Sequence, residues 1–144
     1  MLEYPNTISS KLPKVGTTIF TVMSQLAKEN EAVNLSQGFP DFPVSQVLID
    51  LVYKYMSQGY NQYPPMPGVM QLRELIAEKM ERLYSCSYNP EEEVTITAGG
   101  TQAIFTAIMA TINEGDEVII FTPAYDCYAP AVELAGGKLV YVQL

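Results

Sequence analysis

Thr95–Ile108 reads TITAGGTQAIFTAI, and its two halves obey different rules. Val94–Thr97 is a short β-type run. From Gln102 to Ile112 the chain is apolar almost all round, broken only by Thr106 and Thr111, and this predicts a helix buried on more than one side. Gly99, Gly100 and Thr101 stand at the junction. Glycines there let a backbone come close to an anion, and the N–H groups at a helix N-terminus point at it with the helix dipole behind them. Thr101 adds a hydroxyl. A tight turn followed by a threonine cap explains the same residues equally simply. Neither Gly-x-x-x-x-Gly-Lys-Ser/Thr nor Gly-x-Gly-x-x-Gly is present.

Downstream, the turn NEGD (113–116) leads into EVIIFT (117–122), a continuous apolar strand of the kind found where both faces of a parallel sheet are covered. Tyr125–Leu134 is expected to be helical, with Pro130 disturbing its first turns. Gly136-Gly137 ends it, and KLVYVQL (138–144) forms a third strand. Upstream, Thr17 or Thr18 caps a helix carrying Ile19, Phe20, Met23, Leu26 and Ala27 on one face and ending near Asn30. VNLSQGFPDFP (33–43) is a loop, and Ser45 caps a second helix with Leu48, Leu51, Val52 and Tyr55. GYNQYPPMPG (59–68) holds three prolines and cannot be helical. Val69, Leu72, Leu75, Ile76, Met80 and Leu83 then keep a 3.6-residue period over a third helix. The fold class is α/β: an N-terminal helical segment, then a βαβαβ start of a mostly parallel sheet. Three strands with open edges, the last running into the final residue, suggest the front part of a longer protein.

Composition narrows the partners. The 144 residues carry a net charge of −8 with only eight Lys and Arg, which speaks against nucleic acid and against an anionic membrane. Hydrophobic residues at 48% are enough for one domain with a real core. Histidine is absent, so these residues contain no Ser-His or Cys-His pair and no His-ligated metal site. Glu91-Glu92-Glu93 follows Asn89-Pro90 and reads as a solvated turn, not a metal cage. Cys86 and Cys127 read as free thiols of a reducing cytoplasm. The N-terminal residues show no apolar leader core, and Ala103–Ile112 is too short to span a bilayer.

In a parallel sheet, ligands bind beyond the carboxyl ends of the strands. Two loops leave such ends: Gly99-Gly100-Thr101, and Pro123-Ala124-Tyr125. An anion cradle beside a tyrosine that can stack suits a phosphorylated heteroaromatic cofactor.

VTITAGGTQAIFTAI (94–108), with NEGDEVIIFTPAYDCYAPAVELAGGKLVYV (113–142), resembles the cofactor domain of class I/II aminotransferases, the fold-type-I enzymes that use pyridoxal phosphate. VNLSQGFPDFP and Tyr60–Ile76 are similar to the methionine and kynurenine branch of that family. The resemblance runs from about Lys11 to the last residue. It implies that Gly99, Gly100, Thr101 and Gln102 hold the cofactor phosphate and that Tyr125 stacks on the pyridine ring. It implies that Tyr63 reaches across a homodimer interface to the partner's phosphate. Gly38 is implied near the substrate carboxylate, and Phe20 in the substrate side-chain pocket. Residues 1–45 become an N-terminal helix and loop segment, and residues 46–144 the N-terminal part of the large, cofactor-binding domain. The implied reaction moves an amino group between a methionine-like or aromatic amino acid and a 2-keto acid, in the cytoplasm.

Two positions depart from the animal kynurenine enzymes. Thr101 stands where those have an aromatic, and Phe20 where they have tryptophan; both speak against a kynurenine preference. The family's cofactor-binding lysine, the aspartate facing the pyridine nitrogen and the arginine for the substrate carboxylate all fall beyond residue 144. No catalytic residue is therefore assigned. The same resemblance admits a cysteine-conjugate β-lyase or a non-catalytic aminotransferase-like regulatory domain, and the residues alone admit a nucleotide-binding doubly wound domain.

Overall fold

A computed structural model describes residues 9–38 and 40–144. Residues 1–8, the beginning of the stretch searched for a leader, and Phe39 of the first loop lie outside the described residues. Packing divides the chain into two units, one formed by residues 1–38 and 99–144, the other by residues 39–98.

The first unit opens with α1 (Ile19–Glu29). The Thr18 hydroxyl accepts from the Thr21 N–H and caps it, and Asn30 closes it by bonding back to Leu26 and Lys28. The chain re-enters this unit at α4 (Gly100–Thr111). The NEGD turn follows, held by Asp116 Oδ2, which accepts from the Asn113 N–H at 2.8 Å. Then come β1 (Glu117–Thr122), α5 (Tyr128–Leu134) and β2 (Lys138–Gln143). The strands pair in parallel, with Glu117 opposite Lys138 through to Thr122 opposite Gln143. Parallel neighbours need a crossover, which α5 provides by packing on both strands, while α4 packs on α5. The core of this unit is Ile120, Ala131 and Val132.

The second unit holds α2 (Gln46–Ser57), which follows Ser45, and α3 (Met70–Tyr84). On α3 the buried residues are Arg73 and Ala77. Leu72, Leu75 and Leu83 of the periodic apolar face are exposed. Arg73 Nε donates to the Val94 carbonyl at 2.7 Å and Nη2 to the Glu91 carbonyl at 2.5 Å. Asn89 organises the expected turn: its Oδ1 accepts from the Glu91 N–H and its own N–H donates to Glu93 Oε2. Gly68, at φ +100°, lies so close to Ile96 that a Cβ would come within 2.7 Å of two of its side-chain carbons.

Several expectations need correction. Val94–Thr97 forms no strand among the described residues and has no regular secondary structure. A strand exists only through a ladder partner, and β1 and β2 pair only with each other. The Ile96 N–H goes instead to the Pro67 carbonyl. The fourth helix starts at Gly100, two residues early, and none of its residues is buried; it packs on one neighbouring element, α5. The fifth starts at Tyr128, three residues late, because Tyr125–Cys127 lead out of the strand in a turn. Pro130 fits inside it, since an N–H in the first turn has no intrahelical partner to lose. β1 is covered on one face only: Ile120 is buried, while Ile119 and Phe121 are exposed. The core is correspondingly smaller than the length predicts.

Candidate functional site

Gly99 is the N-cap of α4, with φ 107° and ψ 162°, a combination that is in practice open only to glycine. The Ala103 N–H closes the first helical turn onto the Gly99 carbonyl at 3.3 Å. Thr101 lies one residue inside the helix, so the cap is Gly99 and not the threonine. A Cβ added at Gly99 or at Gly100 would meet nothing within 4 Å, so this backbone borders open space. Thr101 and Gln102 are exposed in the first turn.

Chain lengths place this turn relative to the sheet. Twelve helical residues span about 18 Å, and six strand residues about 20 Å. The C-terminal end of α4 is joined to the start of β1 by only Ile112–Asp116. Ile104 and Ile108 of α4 line a cavity of about 360 Å³ together with Val118–Phe121 of β1, so the helix runs alongside the strand. With its C-terminus at the strand's beginning, its N-terminus lies level with the strand's carboxyl end. Gly99–Gln102 therefore share the edge from which Tyr125 departs.

Tyr125 follows β1 after two intervening residues, past a cis Thr122–Pro123 bond, and is 48% exposed. Two other rings touch it. Phe20 of α1 lies 6.3 Å away between centroids, tilted by 42°. Tyr128, the first residue of α5, lies 6.0 Å away, edge to face at 66°. Phe20 and Tyr125 are thus brought together, although 104 residues lie between them in the sequence. Gly38 belongs to the same unit and is exposed, with open space where a Cβ would stand. Tyr63 belongs to the other unit and is fully exposed. The residue at this edge that sequence reasoning missed is Tyr128. Tyr128 was absorbed into an expected longer helix, and its spacing of three from Tyr125 was the available signal.

A parallel sheet with a glycine-capped helix and a stackable aromatic at its carboxyl edge defines an α/β cofactor-binding protein. The Aminotransferase class I and II family matches residues 30–144, and the chain belongs to that family. It is 52% identical over 137 residues to the methionine aminotransferase of Escherichia coli K12, covering 95% of this chain and 36% of that protein. Human kynurenine–oxoglutarate transaminase 1 is 40% identical over 122 residues, covering 83% of this chain and 29% of that protein. A crystal structure of an Escherichia coli protein identified with a methionine aminotransferase function superposes with a TM-score of 0.91 at 51% identity. That match covers 97% of this chain and 37% of the other. The chain thus spans about a third of the length of the relatives it matches.

The family depends on pyridoxal phosphate. The residues present fit its phosphate and its ring: a glycine-only turn opening on free space at a helix N-terminus, a hydroxyl one residue further on, and an exposed ring at the same edge. None of the helices among the described residues is long and apolar enough to cross a membrane.

Proposed function

We propose that this chain seats the phosphate and the ring face of pyridoxal phosphate in an aminotransferase. The whole protein would move an amino group between a methionine-like or aromatic amino acid and a 2-keto acid. The observation that carries the reading is the Gly99 turn, open to solvent at the same sheet edge as Tyr125. In its support stand the family membership and the 52% identity to a methionine aminotransferase.

In this reading the backbone N–H groups of Gly99–Gln102 and the Thr101 hydroxyl bind the phosphate dianion, helped by the positive end of the α4 dipole. Tyr125 covers one face of the ring, orienting it and keeping water from that side. Bound pyridoxal phosphate supplies the electron sink that lets a proton leave the α-carbon of an amino acid. Gly38 lies near the substrate carboxylate and Phe20 in the side-chain pocket. Tyr63, fully exposed here, reaches the phosphate of a second subunit in a homodimer. Residues 46–144 belong to the large domain, residues 1–45 to the segment before it, and the protein works in the cytoplasm. The proton-transferring group lies outside residues 1–144, so the chain alone is inactive.

Full-length protein supplied with pyridoxal phosphate, methionine and a 2-keto acid should form the keto acid of methionine, with one new amino acid for each. The 144-residue chain should form none. Turnover by the 144-residue chain, or cofactor-independent turnover by the full-length protein, would sink the reading.

A further inference from the structure

We infer that Tyr128 is a positioning residue that sets the plane of the Tyr125 ring, an inference that rests on the reading of Tyr125 as the cofactor's stacking partner. Tyr125 stands just before the Asp126–Cys127 turn and is half exposed, and the rings that meet its own are those of Phe20 on α1, tilted by 42°, and Tyr128. Stacking requires that plane to be set beforehand, or ligand binding must supply the ordering. Tyr128 is placed to set it. It begins α5, whose Ala131 and Val132 are 3% and 1% exposed, so the helix is the best anchored in its unit. The Tyr128 N–H donates to the Tyr125 carbonyl at 3.3 Å, tying the backbones of the two tyrosines together. Its ring, half-buried at the cavity between α4 and β1, meets the Tyr125 ring edge to face. That geometry matches the positive edge of one ring with the negative face of the other, and it is lost when the ring is replaced by an aliphatic side chain. The hydroxyl takes no part in it, so phenylalanine should serve as well.

The test uses the full-length protein and four variants: Tyr128→Leu, Tyr128→Phe, Tyr125→Leu and the double Tyr125→Leu/Tyr128→Leu. The readouts are affinity for pyridoxal phosphate and the visible circular dichroism of the bound cofactor. Tyr128→Leu should bind about fivefold more weakly and show altered dichroism. Tyr128→Phe should restore both. In the Tyr125→Leu background the Tyr128 change should have no further effect, which a general loss of packing would not reproduce. Should Tyr128→Leu fail to fold, Tyr128→Met carries the same expectations. Unchanged affinity and dichroism in Tyr128→Leu, or an equal loss in the Tyr125→Leu background, would overturn the inference alone. Absence of cofactor binding in the unaltered protein, or Tyr125→Leu binding like it, would overturn the underlying reading of Tyr125 and this inference with it.

Discussion

Gly99 shows what a single residue contributes. At φ 107° and ψ 162° any side chain is strained by about 1–3 kcal/mol. The chain relieves that strain only by moving the turn away from its open position. Gly99→Ala in the full-length protein should therefore weaken pyridoxal phosphate binding by tenfold or so, with little change in secondary structure, as followed by cofactor titration and far-ultraviolet circular dichroism. Thr101→Val removes a hydroxyl and keeps the volume. A hydrogen bond to a charged group contributes about 1.5–3 kcal/mol, so the same titration should show at least a tenfold loss. Binding equal to that of the unaltered protein would remove Thr101 from the phosphate site. The use of this turn for phosphate rests on the family resemblance, but the turn itself was legible in sequence, because a glycine pair stands there at a change of period. The exact cap was not, since a threonine next to two glycines competes for that role on paper, and backbone conformation decides it.

Among the elements, α3 separates what a pattern conveys from what it hides. Its periodic leucines mark a helix correctly, yet the face that packs within its unit carries Arg73 and Ala77. The guanidinium fork holds two carbonyls, of Val94 and Glu91, which a polar letter in a helical pattern cannot announce. Arg73→Met should destabilise the protein by about 3 kcal/mol, and Arg73→Lys should recover only part, because a lysine cannot reproduce the fork geometry. Chemical denaturation of both variants measures this, and a near-neutral Arg73→Met would contradict it. Gly68 meets Ile96 on the same segment, so Gly68→Ala should cost about 1–3 kcal/mol by overpacking. Strands β1 and β2 were readable from apolar runs bounded by turns. The Val94–Thr97 strand was not realised, because pairing is a property of two segments and no second segment among the described residues pairs with it.

At the scale of the molecule, both units leave large apolar side chains exposed, among them Val22 and Leu26 of α1, Leu48 and Val52 of α2, and Ile119 and Phe121 of β1. The apolar spacing of α1 and α2 marked helices, which form, whereas β1, read as covered on both faces, is covered on one. What covers each apolar face was not legible, because a pattern names the buried side without naming the partner. On its own the 144-residue chain should bind a hydrophobic dye strongly and unfold with low cooperativity, as followed by dye fluorescence and thermal melting. The most direct measurement is amino transfer from methionine to a 2-keto acid by the full-length protein, with and without pyridoxal phosphate, beside Tyr125→Leu and Thr101→Val. The account predicts transfer that requires the cofactor and needs more of it in both variants. Transfer without the cofactor, or variants that need no more cofactor than the unaltered protein, would contradict it.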